Sequence, residues 1–534
     1  MNVWLSCTLI FALSFCSLAY ELFLAKILTD LSQNEILSQS LGIGLFLLGL
    51  GAGAALSSVW KTDQPVKRLF YVECLLVSLA FLVIPSSYGI AFLHHLSPFG
   101  PAGFIYYFVG LLIFAVGLLS GFEFPLLWQE QGEKMRASIP LAMSYLGGLF
   151  AGFAVPLILN PGWGPFKAII FLGLINAVIA FSLLPFVEKN AWLKPRYLSW
   201  LLLPTAALYM SSLYSPQLEQ AYLKASYFKV QIPDLNVAAI KNIWNGLKLI
   251  PTVQRWYSPY QKIDLVQSSA ASSWAMDPLE GVTLYLDRRL QFNESSYQIY
   301  HESMVYGAFN LRKKVPENIL ILGGGDGLLA TELLKHPEIK RIDLVEIDPK
   351  MIELGKENFH FTRLNQGSLE NPRVNVHIED GFAFMKHQAP EQFDAVFIDF
   401  PYPHSPDLLR LYSVEFYKIV RRTLTPKGFV IMDGPLYSPD EMQAANTKTP
   451  PQWVLRDTIK SAGFKNIFAF GNFEGFYFFT KDEFKAQFDY GRIPQAISNP
   501  ALVNLQNLNG YLEGGEDTSR VNSLFRPYPI MPGR

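Results

Sequence analysis

Cysteine is scarce in this chain of 534 residues: Cys7, Cys16 and Cys74 are the only three, and all lie in apolar stretches. Without a CxxC pair or a cysteine–histidine cluster, neither a zinc module nor a disulfide framework is expected, and no metal site is assigned. Charge is sparse as well, 17% of residues, and close to balanced at −1. No basic field therefore marks a nucleic-acid binder. The opening apolar run has no basic residues ahead of it and no clear small-residue cleavage site behind it, which predicts a retained span and not a removed signal peptide. What the chain has in quantity is hydrophobic residue, 50% of it, with positive mean hydropathy. That is too oily for a purely soluble protein and too long for one core, so two regimes are expected.

Residues 1–214 form the first regime. Apolar segments near 3–24, 36–59, 69–93, 103–128, 139–160, 166–187 and 197–214 each approach or exceed the roughly 20 residues that cross a bilayer as a helix, which predicts a transmembrane bundle of about seven spans. Gly42, Gly44, Gly49, Gly51 and Gly53, and then Gly147, Gly148 and Gly152, offer small faces for close helix packing. Glu21, Glu73 and Glu123 sit inside or at the edge of spans, where ionised groups are costly. Trp4, Trp60, Trp128, Trp163 and Trp200 lie near predicted ends, as interfacial anchors do.

Orientation brings a conflict. Lys61, Lys67 and Arg68, then Lys134 and Arg136, then Lys189, Lys194 and Arg196 fall after the second, fourth and sixth spans, which makes those loops cytoplasmic by the positive-inside rule. Seven spans would then put the C-terminal half on the other face. A nucleoside-type ligand has to be supplied from inside, and on that ground a multi-pass protein of the cell membrane with a cytoplasmic C-terminal half is expected.

Residues 215–257 read as a linker whose apolar positions Val237, Ile240, Ile243, Trp244, Leu247 and Ile250 have helical spacing. From Ser258 the texture changes. Stretches 258–266 and 282–287 read as strands of a small β element, within 258–312, and an α/β domain follows over 313–490, with an irregular tail over 491–534. In that domain Ile319-Leu320-Ile321-Leu322 meets Gly323-Gly324-Gly325-Asp326-Gly327 and then a helical pattern: strand, tight turn, helix. Glycine allows the sharp turn and the close approach of a ligand, and Glu346, about 20 residues on at the end of a second strand, suits a ribose diol.

After Glu346 strand and helix alternate, which implies a parallel sheet covered by helices with ligands outside the carboxyl ends of the strands. Four strand ends carry Gly325-Asp326, Glu346, Asp380 and Asp399. Any one such acid is commonly a turn or N-cap residue. Together they form a set: Glu346 can accept from both ribose hydroxyls, Asp380 from the exocyclic amine of adenine, Asp326 can pair with a cationic amine, and Asp399 stands where chemistry would occur. With no lysine or arginine constellation at the turn, a polyphosphate is disfavoured and a sulfonium nucleoside fits.

Over about residues 258–480 the chain resembles the spermidine synthase (polyamine aminopropyltransferase) family, and the oily half resembles its membrane-fused branch. The residues that carry this are Tyr260-Gln261, Leu286-Asp287, Tyr300-His301-Glu302, Gly323 to Gly327, Leu344 to Asp348, Glu379-Asp380-Gly381, Asp399 and Leu411-Tyr412-Ser413 with Phe416-Tyr417. The resemblance implies a Rossmann-like methyltransferase core behind a small β domain. It also implies aminopropyl transfer from decarboxylated S-adenosylmethionine, a co-substrate and not a tightly bound cofactor, to an amine, putrescine in the family pattern. On it, Gln261, His301 and Asp326 hold the aminopropyl end of the donor, Glu346 the ribose, Asp380-Gly381 the adenine, and Gly323, Gly325 and Gly327 line the turn. Asp399 is the catalytic residue and Tyr300 stands on the acceptor side.

The departures fall in one place. The family's Asp-x-x-Asp reads Asp399-Phe400-Pro401-Tyr402, so Tyr402 replaces the acid that would grip the acceptor's far amine, and the acidic pair before Tyr300 is Ser296-Tyr297. Asp407 is a candidate substitute. The expected partners are a small amine, the lipid bilayer and, as an open option, a second copy of the chain. Two other classes compete: an enzyme using intact S-adenosylmethionine, as methyltransferase or lyase, and a non-catalytic nucleoside-sensing transporter built on Glu21, Glu73 and Glu123. Residues 438–452 read as a loop over the site.

Overall fold

The computed structural model describes residues 3–32, 34–60, 62–97, 103–131, 138–232, 236–268, 281–403, 406–438, 441, 449–471, 474–488, 505–514 and 517–528. The chain divides into two compact units, Met1–Gln291 and Phe292–Arg534.

The first unit opens with α1 (Val3–Ser32), α2 (Glu35–Val59), α3 (Pro65–Leu96), α4 (Phe104–Gln131), α5 (Ser138–Ala154), α6 (Asn160–Val187) and α7 (Pro195–Tyr227). Among the described residues five helical runs are long and apolar enough to cross a membrane: α1, α2, α3, α4 and the continuous Ser138–Val187. That last run has 50 residues, about 75 Å at 1.5 Å per residue, enough for two crossings. It contains the predicted segments 139–160 and 166–187 and breaks between them at Gly164, whose φ is 69°. The predicted segment 197–214 lies in α7, which is not among the five. Small residues set the closest helix contacts. A Cβ on Gly53 would stand 2.0 Å from the Leu118 carbonyl oxygen and one on Gly121 2.3 Å from that of Leu50, so α2 and α4 touch backbone to backbone. Gly147 does the same against Phe11 of α1, whereas Gly44, Gly51 and Gly152 meet nothing within 4 Å.

The expected linker is not one. Residues up to 227 continue α7, and α8 (Val237–Leu247) packs Trp244 against Phe92, ring centroids 6.1 Å apart. Nor does the small β element begin the catalytic half. Residues 258–261 form a turn closed by the Ser258 amide on the Gln261 carbonyl, not the start of a strand. Strands β1 (Gln254–Tyr257), β2 (Lys262–Gln267), β3 (Val282–Leu286) and β4 (Arg289–Asn293) make a four-stranded sheet in sequence order. Up to Gln291 that sheet belongs with the helices, because buried ion pairs tie it there. Lys262 Nζ meets Asp30 Oδ1 of α1 at 2.5 Å, and Arg255 joins Asp264 at 2.6 Å and Glu219 of α7 at 3.1 Å. Burial raises the Asp264 carboxyl, but the Arg255 guanidinium outweighs it and holds the group below the usual range. The break at Gly164 belongs to the same junction, since a Cβ there would lie 2.5 Å from the Tyr257 ring.

The second unit is an α/β domain. After α9 (Tyr297–Arg312) come β5 (Asn318–Gly323), α10 (Leu328–Leu334), β6 (Arg341–Glu346), α11 (Pro349–Glu357), α12 (Phe359–Asn365), β7 (Val374–Ile378), α13 (Gly381–His387), β8 (Phe393–Asp399), α14 (Pro406–Leu409), α15 (Val414–Thr423), β9 (Leu424–Asp433), α16 (Pro451–Ser461), β10 (Asn466–Gly471), β11 (Gly475–Thr480) and β12 (Gln506–Asn507). The sheet order is β12-β10-β11-β9-β8-β5-β6-β7. Strands β7, β6, β5, β8 and β9 are mutually parallel, and β11, β10 and β12 add antiparallel. The apolar cores on the two faces draw on alternate strand residues, with Ile319, Ile321, Ala395 and Phe397 on one side and Leu320, Leu322, Val396 and Ile398 on the other. The order reverses between β5 and β8, which opens a crevice outside their carboxyl ends. The antiparallel β10 and β11 were not foreseen. Much of the predicted loop 438–452, namely 439–440 and 442–448, lies outside the described residues, as does the side chain of Asp407.

Candidate active site

The crevice is built from strand ends. Gly323 pairs in register with Asp399 across β5 and β8, and a Cβ on Gly323 would stand 2.1 Å from the Asp399 carbonyl oxygen. Together with its φ of 91° this admits only glycine. The next turn closes through the Gly327 amide on the Gly324 carbonyl. Asn365, fully buried on α12, donates to the Asp326 carbonyl at 2.7 Å and to that of Gly355 at 2.8 Å, and the Ser368 hydroxyl donates to the Gly327 carbonyl at 2.7 Å. These two polar side chains hold the turn from behind, and no sequence pattern announced them.

Glu346 ends β6 and folds back onto that turn. It accepts from the Gly325 amide at 3.2 Å and the Asp348 amide at 2.9 Å. Burial pushes its carboxyl up to about 7 against the pull of those amides. Asp326 accepts from the Leu328 amide at 2.9 Å. Its carboxyl is pushed up to about 6, by burial first, with His301 opposing and Asp399 adding to the rise. His301 is buried on α9 with Nδ1 2.8 Å from the Tyr297 carbonyl. The preceding residue, Tyr300, donates its hydroxyl to Asp399 Oδ1 at 3.0 Å, and burial together with that carboxylate drives the phenol well above its usual range.

Asp380 is committed to structure. Its Oδ1 caps α13 through the Ala383 amide at 2.9 Å, and Oδ2 pairs with Arg410. Gly381 opens α13 beside Phe400, which a Cβ there would meet at 3.4 Å. Among the described residues Asp326, Glu346 and Asp399 have no ion-pair partner. The structure therefore brings together Gly323, Gly325, Asp326, Gly327, Glu346, Tyr300, His301 and Asp399, and sets Asp380 and Gly381 beside Phe400. Gln261 belongs to the first unit, in the turn that leads into β2.

Tyr402 is partly buried, its phenol raised by burial and then by Asp433 and Glu474. Asp433 ends β9, next to Asp399 at the end of β8. Its Oδ1 is buried without a hydrogen-bond partner among the described residues, and burial, then Asp399 and Glu474, hold its carboxyl well above the usual range. Asp433 escaped the sequence reading, although it repeats the signal used for the other four: an acid closing a predicted strand. Glu474 sits in the β10–β11 turn.

Comparison with known proteins settles the kinship. A family model for the spermine/spermidine synthase domain matches residues 297–449. Over 463 residues the chain is 32% identical to polyamine aminopropyltransferase 1 of Streptomyces coelicolor, covering 85% of this chain and 78% of that one. This protein belongs to the polyamine aminopropyltransferase family. The polyamine aminopropyltransferase of Mycobacterium tuberculosis is 30% identical, with 84% and 79% of the two chains covered, and that of Oceanobacillus iheyensis 27% identical, with 88% and 84%. Among solved structures, a spermidine synthase in complex with the transition-state analogue AdoDATO matches at 22% identity and a TM-score of 0.35, over 43% of this chain and 72% of that one. An alignment of 463 residues exceeds the length of unit 292–534, so the likeness to these aminopropyltransferases runs into the helical unit as well. The chain is an aminopropyltransferase with an extension of apolar helices, consistent with the membrane-fused form.

Proposed function

We propose that the protein transfers the aminopropyl group of decarboxylated S-adenosylmethionine to an amine, putrescine in the plain family pattern, while held in the cell membrane by its helical unit with the catalytic unit in the cytoplasm. The observation that carries the chemistry is Asp399 at the mouth of the crevice, bonded by Tyr300 and flanked by acids that have no cationic partner among the described residues. The unprotonated amine nitrogen attacks the methylene carbon beside the sulfonium. The carbon–sulfur bond breaks, its electron pair returns to sulfur as neutral methylthioadenosine, and Asp399 takes the proton that the new ammonium releases. Glu346 is suited to the ribose hydroxyls. Asp326, beside His301, is suited to the donor's ammonium end, and the glycine turn lets the nucleoside approach the backbone. The co-substrate is bound for the reaction and released as product.

Tyr402 removes the family's second acceptor carboxylate, and Asp433 supplies another at the same corner. Its buried, unpartnered Oδ1 suits the far ammonium of a diamine. Asp380, already capped and paired with Arg410, serves the adenine pocket by holding α13 and the loop before α15 together. The test is incubation of the detergent-solubilised protein with decarboxylated or intact sulfonium donor, with and without a panel of amines, and identification of products by mass. Methylthioadenosine released only with decarboxylated donor plus diamine is the expected result. Its release without any amine, or methylated or cleaved product from the intact donor, would replace this reading.

A further inference from the structure

The helical unit holds a cavity of about 380 Å³ whose wall includes Glu21, Glu123, Ser14, Ser17, Ser120 and Ser144. Glu21 is 8% exposed and Glu123 4%, and neither has a hydrogen-bond or ion-pair partner among the described residues. The Ser120 hydroxyl is buried and unpartnered too. Pro125 of α4 lines the same space and has no amide hydrogen to offer the carbonyl of Gly121, itself a lining residue one turn back. Behind Glu123 stands Glu73, fully buried, with one carboxylate oxygen held by Asn176 at 2.8 Å and the other without a partner. Among the described residues no lysine or arginine pairs with any of the three glutamates. Apolar side chains such as Leu13, Phe46 and Leu127 make up the rest of the wall.

Ser14 already donates to Ser144 at 2.9 Å, so the buried polar groups left to this cavity are the Ser120 hydroxyl and two carboxyl groups. Leaving such groups unsatisfied is costly in an apolar surrounding. The missing complement is a cation rich in N–H donors whose body is hydrocarbon, and a volume of this size accommodates a small organic ligand. We infer that the helical unit binds an aliphatic diammonium or polyammonium ion in this cavity, with Glu21 and Glu123 taking ammonium groups and the apolar wall the methylenes between them. This is a site separate from the catalytic crevice. The inference takes from the proposed function only the expectation that such amines are available to the protein.

The test uses the full-length protein in lipid nanodiscs and equilibrium binding of radiolabelled putrescine and spermidine without any sulfonium donor. Glu123→Gln and Glu21→Gln are each expected to weaken one binding component by about tenfold or more. A third variant removes space instead of charge: at Gly148, on the cavity wall, a Cβ would meet only Leu18 Cδ2 at 3.7 Å, so the methyl of Gly148→Ala is tolerated by its neighbours and narrows the cavity. It too is expected to weaken that component. In all three, aminopropyl transfer measured in detergent stays within about twofold of wild type, which reports folded protein. Unchanged binding in the three variants would overturn the site. Competition by n-butylamine equal to that by putrescine would overturn the two-carboxylate grip. Failure of the transferase reading shows differently, as no methylthioadenosine from the wild-type protein, and leaves the binding comparison intact.

Discussion

Buried charge is treated in opposite ways in two regions of this molecule. At the junction of the helices with the small sheet every buried carboxylate has a cation: Asp30 has Lys262, and Asp264 and Glu219 share Arg255. Among the described residues Asp326, Glu346 and Asp399, at the strand ends of the catalytic unit, receive only backbone amides or the Tyr300 hydroxyl, and Asp433 keeps one oxygen unpartnered. A paired buried charge has no appetite left and serves structure. An unpaired one costs stability and is retained where a ligand completes it. Asp380 is instructive because it sits among the second group yet follows the rule of the first, with Arg410 and an N-cap already satisfying it.

The contrast can be broken experimentally. Asp399→Asn, which keeps shape and removes the proton acceptor, is expected to lower kcat by about 10²–10⁴ while donor binding survives. Turnover at the wild-type rate would end the assignment. Lys262→Met, by contrast, leaves Asp30 ionised and alone, at a local cost of about 3–5 kcal/mol. Hydrogen exchange of the β2 amides measures that loss, and Lys262→Met combined with Asp30→Leu should recover most of it. A double variant as unstable as the single one would mean the pair contributes more than mutual neutralisation.

Glu346→Gln is expected to raise the donor KM by about 10- to 100-fold, the worth of hydrogen bonds to a charged acceptor, with kcat less affected. Acidity gives the mildest effect. The carboxyls of Glu346 and Asp326 are raised in the folded state to about 7 and about 6. Their contribution to the stability of the free catalytic unit is thus fully present below their ordinary values near 4 and is lost as pH rises through 6 and 7. On the roles proposed for them donor binding requires both ionised, so the donor KM should fall by about tenfold or more between pH 5.5 and 8. Glu346→Gln should flatten that slope in its upper part, and an unaltered profile would assign the titration elsewhere.

Local signals were readable and distant pairings were not. Gly323 to Gly327, Glu346 and Asp399 announced themselves because strand, turn and acid lie within a few residues of each other. Lys262 meets a partner 232 positions away, and nothing near residue 262 says so. That is why the small sheet was assigned to the catalytic half when its buried charges fasten it to α1 and α7. The same limit hid Arg410 on Asp380. Strands β10 and β11 were missed for another reason: lying between β9 and β12 they are covered on both faces, β11 with aromatic side chains on each, and buried strands lose the alternation by which exposed ones are recognised.

The irregular tail of the chain has a bearing on the crevice. Asn522 is 1% exposed, donates its carboxamide to the Leu409 and Tyr412 carbonyls, and lends its own carbonyl to the Val414 amide, while its amide rests on Thr458 of α16. The segment that follows Asp399 and Tyr402 is thereby laced to a residue near the end of the protein. Removing the chain from residue 505 onward takes these bonds away from Leu409, Tyr412 and Val414 and leaves the turn between β5 and β6 untouched, so on the proposed roles such a truncation changes which amine is accepted before it changes how the donor is held.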